Sequence, residues 1–322
     1  MSTTDAVIDQ ALRAAIRAPS VHNTQPWQFV VAPPFVELHL DRDRVLPVAD
    51  PAAREARMSC GAALFNLRLA IQASGRGVVF DLLPDPHRPD FLAVLRVTGA
   101  WTATPEQTTL VHAIAHWASN RRPFSDRAVP PAHRNALVRA AEGERAHLVL
   151  LDTPKMLDTF ATLLRRADHV QEEDPDFQRE LREWTDRNPG EDGVPRSAGG
   201  PRPTGGTLLT PRQYPPESTM ERPFEQDPLV AMLTTQGDTP SDHLRAGLAL
   251  QRVLLTATVI GLSASFLSQP VEVPPTRAAL RTLLDAPGQP QTVLRIGYGH
   301  PVSQTPRRPV SAVTTNRTGA PS

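Results

Sequence analysis

Cysteine is nearly absent from this chain of 322 residues, with Cys60 the sole one. No internal disulfide and no cysteine-built zinc cluster can form. Flanked by Ser59 and Gly61 at the start of a helix, the thiol reads first as a small buried hydrophobe. Lysine is as scarce, and Lys155, after Thr153-Pro154 at a helix start, suits a solvated surface site better than covalent chemistry. Neither sign of charge is in excess, with 34 basic and 34 acidic residues. The protein therefore has no net field to draw in nucleic acid or an anionic membrane. Long apolar runs are missing too: Val253 to Leu267 is broken by Thr and Ser, short of the ~20 apolar residues that a membrane helix needs. The first residues lack a basic stretch leading into an apolar core, so a cytoplasmic protein is expected. There is no His-Glu-x-x-His, no Gly-x-Ser-x-Gly, no Gly-x-Gly-x-x-Gly after a strand and no Walker lysine. His112 and His116 share a helix face without an obvious third ligand, and Glu172 to Asp176 reads as a solvated helix segment, so no metal site is expected.

What remains is an ordinary globular composition, 40% hydrophobic and 21% charged, long enough for one or two domains. The apolar spacing of Val7, Leu12, Ala15 and Ile16 predicts a first helix. Strands follow at 29–32 and 36–40 around Pro33-Pro34, then a helix from about Ser59 to Ser74 ended by Gly75, then strands at 78–83 and 92–97. Beyond Thr104 the pattern predicts helices from Pro105 to about Trp117 and from Pro131 to Ala141, a strand at 148–151, and a long helix from Lys155 to about Asp186. This alternation implies an α+β or α/β sheet protein.

The chain also contains a long-range repeat. Gly61 to Gly75 aligns without a gap on Gly247 to Gly261, and both helices lead to similar strands, Leu95-Arg96-Val97 and Leu294-Arg295-Ile296. Amphipathic helices resemble one another by chance, but a duplication explains more. The expected organisation is a first half, 1–103, and a second half, 104–322. The second half holds a stretch rich in Pro and Gly at 187–226 and a carboxy-terminal extended arm. So long a connection is usually a lid or a mobile linker.

Between the first helix and the first strand lies Pro19-Ser20-Val21-His22-Asn23-Thr24-Gln25-Pro26-Trp27, polar side chains on a connection between rigid elements. It resembles the Pro-Ser-x-x-Asn-x-Gln-Pro-Trp signature of the FMN-dependent nitroreductase family. With Ser119-Asn120-Arg121-Arg122-Pro123-Phe124 and Thr305-Pro306-Arg307-Arg308-Pro309, it is similar to that family's actinobacterial Acg branch. The resemblance implies a nitroreductase-like α+β fold. It also implies that the two halves form a single-chain pseudo-dimer with FMN between them, since family members are dimers with the flavin at the interface. Only the first half has the loop and only the second has the arginine motifs, so together they would build one site.

The resemblance further implies that Ser119, Arg121, Arg307 and Arg308 grip the flavin phosphate and pyrimidine edge. Ser20, Asn23 and Gln25 would reach it from the opposite half, and Gln269, Pro270 and Glu272 would border its N5 side. One departure stands out: Trp117 occupies the family's leading phosphate arginine, and a neutral ring cannot replace a bidentate cation. In the Acg branch the region matching 187–226 covers the flavin pocket. Asp50, Arg54 and Ser59 fit that branch's pattern as structural anchors. The implied activity is ping-pong hydride transfer from NAD(P)H, a transient donor, through FMN to a nitroaromatic or quinone, with no protein residue required as acid. The alternatives are a lidded protein that stores FMN and turns over little, and a scaffold that has lost FMN. The expected partners are a small-molecule acceptor, no nucleic acid and no membrane, with the chain a monomer.

Overall fold

The computed structural model describes residues 3–185, 190–205, 207–214, 220–225, 228–284 and 287–317. The chain opens with α1 (Thr3–Ala15), which buries Ile8, Ala11, Leu12 and Ala15 on one face. β1 (Trp27–Ala32) and β2 (Phe35–Leu40) form a hairpin, followed by α2 (Arg54–Ala73), β3 (Arg76–Leu82) and β4 (Phe91–Ala100). Next come α3 (Pro105–Ala113), α4 (Pro131–Glu142), β5 (His147–Leu151), α5 (Pro154–Glu173) and α6 (Pro175–Thr185). A small pair, β6 (Arg202–Pro203) and β7 (Glu221–Arg222), precedes β8 (Leu229–Thr235), α7 (Pro240–Val259) and β9 (Ser263–Phe266). Two short helices, α8 (Gln269–Glu272) and α9 (Pro274–Leu280), lead to β10 (Gln289–Gly297) and a last strand, β11 (Thr314–Asn316).

Three helix bounds differ from the pattern-based expectation, each for a local reason. α2 begins five residues before Ser59, because the Asp50 carboxylate accepts from the backbone N–H groups of Glu55 (3.1 Å) and Ala56 (2.8 Å) and satisfies the free helix end from outside it. α3 stops at Ala113, and Trp117 lies in the irregular segment beyond it, buried. The expected helix from Lys155 breaks at Pro175, which cannot continue it, and Asp174 Oδ1 accepts from the N–H groups of Asp176 and Phe177 to start α6. Asp186, the end expected for that helix, lies outside the described residues.

The two larger sheets share one plan. The first has the order β11-β1-β2-β4-β3 and the second β5-β8-β10-β9. Setting β11 aside, each runs first, second, fourth, third strand with antiparallel pairing throughout, and its long helix, α2 or α7, joins the second strand to the third. Both helices end at a glycine with positive φ, Gly75 (83°) and Gly261 (74°), where a side chain would be strained. α2 crosses α7 at Gly61 and Gly247, and a Cβ on Gly247 would lie 2.8 Å from Gly61 Cα. Ala62, Leu64 and Leu67 of α2 join Leu248, Val253 and Leu254 of α7 in one buried core that takes in both sheets. Gln251 Nε2 donates to Asn66 Oδ1 across it (2.9 Å).

The carboxy-terminal arm returns to the first sheet, where β11 pairs with β1 in parallel. Cys60 is buried against the Pro26 carbonyl (3.2 Å), and burial pushes its thiol well above the ordinary range, while Lys155 is exposed. Among the described residues no helix is long and apolar enough to cross a membrane.

Candidate functional site

A cavity with about 750 Å³ of free space, open solvent included, lies between residues of 1–103 and residues of 104–322. On one side it is lined by Pro19, Ser20, Val21 and His22 of the loop, and by Glu55, Met58 and Ser59 on the opening turns of α2. Later in the chain come Ser119 and Arg121, Leu250 of α7, and Ser265, Phe266, Ser268 and Thr292 around the sheet end. Ser119 is fixed by a parallel bridge to Ala264, which continues the second sheet up to the cavity. Pro211, Arg212 and Tyr214 close another side. They come from the stretch at 187–226, of which 187–189, 206, 215–219 and 226 lie outside the described residues.

The residues expected at a cofactor site separate into three groups. Ser20, Ser119 and Arg121 line the cavity together. Arg121 donates to the Ala198 carbonyl (3.1 Å), and its guanidinium carbon stands 4.7 Å from the centre of the Tyr214 ring. Asn23, Gln25, Arg307 and Arg308 form a second group that joins the loop to the carboxy-terminal arm. Asn23 donates to the carbonyls of Gly193 (2.9 Å) and Pro306 (3.0 Å), and its Oδ1 accepts from Arg307. Gln25 donates to the Glu191 carbonyl (2.8 Å) and accepts from the Arg308 N–H (2.9 Å). Arg307 also donates to the carbonyls of Arg17 (3.3 Å) and Ala18 (3.1 Å) just past α1, and burial lowers its pKa to about 10. The Arg308 side chain turns to the Ala312 carbonyl and to Asp41.

Gln269, Pro270 and Glu272 make up the third group, on α8 behind Ser268. Gln269 donates to Asp168 (3.0 Å), whose pKa burial raises to about 6, and the Pro270 carbonyl accepts from Thr276 (2.9 Å). Glu272 accepts from Arg212 (2.5 Å) and Gln171 (2.7 Å). Burial alone would raise its carboxyl, but the Arg212 guanidinium outweighs that and holds it below the ordinary range.

The cavity also carries side chains not anticipated as site residues. His22, in a left-handed conformation (φ 47°), packs against Tyr214 with the two rings nearly perpendicular and their centres 5.8 Å apart. Burial, reinforced by Arg212, lowers its pKa to about 3, so its ring stays neutral. Burial raises Glu55 to about 8 against the pull of Arg54, which donates to its Oε1 at 2.6 Å. Trp117, whose identity raised doubt about the phosphate contact, is buried in the core and is not among the lining residues.

A model of the nitroreductase family matches residues 2–49, which include the whole of the polar loop. A Mycobacterium tuberculosis protein with the provisional name NAD(P)H nitroreductase is 34% identical over 317 residues, spanning 94% of this chain and 89% of its own. The chain belongs to the nitroreductase family. A second M. tuberculosis relative, the nitroreductase named acg, again provisionally, is 31% identical over 322 residues, spanning 97% of this chain and 96% of its own. Among solved structures, a nitroreductase with bound FMN from Bacteroides fragilis covers 62% of this chain and 94% of its own at 13% identity, with a TM-score of 0.40.

Proposed function

We propose that this chain is an FMN-dependent oxidoreductase that passes reducing equivalents from NAD(P)H to a nitroaromatic or quinone, acting as a monomer whose two halves form an internal pseudo-dimer. The observation that carries the reading is the cavity itself. Ser20 from one half and Ser119 and Arg121 from the other converge on it, and two buried polar atoms on its wall, His22 Nδ1 and Glu55 Oε2, lack partners among the described residues. A flat heterocycle with carbonyl and N–H edges supplies partners of that kind.

In this reading Arg121 is the cation for the phosphate or the pyrimidine edge, because Arg212, the other guanidinium on the wall, is neutralised by Glu272. Ser20 Oγ already accepts from the Gln25 N–H (2.9 Å), which leaves its own proton free to donate toward the ligand. Asn23, Gln25, Arg307 and Arg308 act one step back, holding the loop that bears Ser20 and His22. Met58, Leu250 and Phe266 give the ring an apolar slot that excludes water. Bound FMN would supply the two-electron chemistry that none of these side chains provides.

A second reading, an FMN-sequestering protein with little turnover, draws support from the stretch ending at Tyr214. The Arg212–Glu272 pair and the Arg121–Tyr214 stack tie it across the cavity. The test is a visible spectrum of the purified protein before and after anaerobic NADPH or NADH. Flavin bands that bleach support the oxidoreductase. Bands that persist with both nucleotides and bleach only with dithionite support sequestration, and no bands after incubation with FMN overturn both.

A further inference from the structure

Glu55 is an unusual group to find on the wall of this cavity. It lies in the first turn of α2, 4% exposed, and lines the cavity beside Met58 and Ser59. Its two oxygens are treated differently. Oε1 accepts from Arg54 (2.6 Å), whereas Oε2 is buried without a hydrogen-bond partner among the described residues. Arg54 is itself shared, because its other nitrogen donates to the Gln291 backbone carbonyl and, at 3.3 Å, to that side chain's oxygen. Ser59 Oγ is directed to the backbone carbonyl of Glu55 and gives the carboxyl nothing.

Nearby Glu272 shows the contrast. Its Oε1, like Glu55 Oε2, is buried without a hydrogen-bond partner among the described residues, but its Oε2 accepts from both Arg212 and Gln171, and the Arg212 guanidinium holds the carboxyl below the ordinary range. Two carboxyls placed in environments this different divide the protonation states between them.

We propose that Glu55 stands in the cavity as a neutral carboxylic acid whose Oε2–H donates a hydrogen bond to a ring-carbonyl oxygen of the bound ligand. This rests on the reading of the cavity as a flavin site, and the carbonyl is that of the flavin ring or of a quinone acceptor. The charged groups that face Glu55 are Arg54 on α2, Asp50 ahead of it, Glu272 on α8 and Arg212 from the 207–214 segment. The two carboxylates favour a proton on Glu55 and the two guanidiniums oppose it. Burial decides the balance, with the proton retained up to about pH 8. A neutral acid in a dry site strengthens its hydrogen bond as the carbonyl gains negative charge, so it favours the reduced form of the ring it touches.

The experiment is infrared difference spectroscopy on the full chain, with the visible flavin spectrum recorded on the same samples. A protonated carboxyl stretch present at about pH 6, lost as the pH rises through about 8 and missing in Glu55→Gln, is the expected result. Added FMN or added menadione should shift it, and which of them does so identifies the carbonyl. In parallel, menadione should bind about tenfold more weakly to Glu55→Ala and to the wild type above about pH 8, while Glu55→Gln, which retains a donor, binds it independently of pH. Glu55→Asp covers the case in which neither substitution folds, since it moves the band without abolishing it. A band absent at about pH 6, or present and untouched by either ligand, overturns the proposal. Failure to take up FMN overturns the flavin reading alone, because the band and the menadione arm do not require flavin.

Discussion

Gly247 lies against Gly61 where α2 crosses α7, with no room for a methyl group on either: a Cβ on Gly247 would overlap the Met58 carbonyl oxygen, and one on Gly61 the Leu244 carbonyl oxygen. Alanine in a helix interior normally gains up to about 1 kcal/mol over glycine. Here the overlap should reverse the sign, and Gly61→Ala and Gly247→Ala should each cost ~1–3 kcal/mol in urea denaturation. Gly99→Ala, with nothing within 4 Å of its Cβ, is the control and should stay within ~0.5 kcal/mol.

That pair also marks how far the sequence could be read. The ungapped alignment of Gly61 to Gly75 on Gly247 to Gly261 pointed to two corresponding helices, and both do end at a glycine with positive φ. That the two glycines face each other could not be read, since alignment says nothing about which faces meet. The polar loop was legible as a cluster, yet its members separate in space: Ser20 points to the cavity, while Asn23 and Gln25 bond to the arm and to 191–193. Their spacing in an irregular segment carries no periodicity from which direction could be inferred. Glu55 was missed because α2 starts ahead of the apolar pattern, capped from Asp50. Arg212 and Tyr214 fall in a proline-rich stretch without period, although one of only two tyrosines in the chain was a signal there.

The two arginine motifs should be separable by experiment. Arg121→Ala removes a cation from the cavity wall and should weaken FMN binding about ten- to a hundredfold, with stability nearly unchanged. Arg307→Ala instead strips donors from the Arg17 and Ala18 carbonyls and from Asn23, and should cost ~2–4 kcal/mol of stability. Hydrogen exchange should then rise in the loop and in β11. FMN titration and exchange on the same preparations distinguish the two. Equal loss of flavin affinity with no change in exchange for Arg307→Ala would return that residue to the phosphate.

The Arg212–Glu272 pair ties the 207–214 segment to α8 inside the protein, with side chains 9% and 1% exposed. Arg212→Ala leaves the Glu272 carboxylate buried with only Gln171 for support and should cost ~3–5 kcal/mol. Glu272→Gln strands the guanidinium in the same way, whereas Arg212→Met with Glu272→Leu should recover most of the loss. A double-mutant cycle followed by thermal denaturation measures the coupling. If sequestration is the function, the double variant should also release bound FMN faster, because the tie is gone while Arg121 remains.

Glu55 makes stability depend on pH in a direction opposite to that of most surface carboxylates. In the unfolded chain it titrates at its ordinary value of 4.5, and in the folded chain burial moves this to about 8. Between those values the unfolded state has released a proton that the folded state keeps. The folded state binds more protons there, so stability falls as pH rises across the window, by up to ~1.4 kcal/mol per unit, and levels off above about 8. Asp168, raised by burial to about 6, adds to the lower part of the window with the same sign. Glu55→Gln removes the larger contribution but also changes the group that Arg54 bonds to, so its absolute stability mixes two effects. The difference between variant and wild type is the clean quantity: it should move in the variant's favour from about pH 5 to about pH 8, then stay flat. Denaturant midpoints at a series of pH values test this, and a difference constant across the window would mean that Glu55 is ionised in the folded protein at neutral pH.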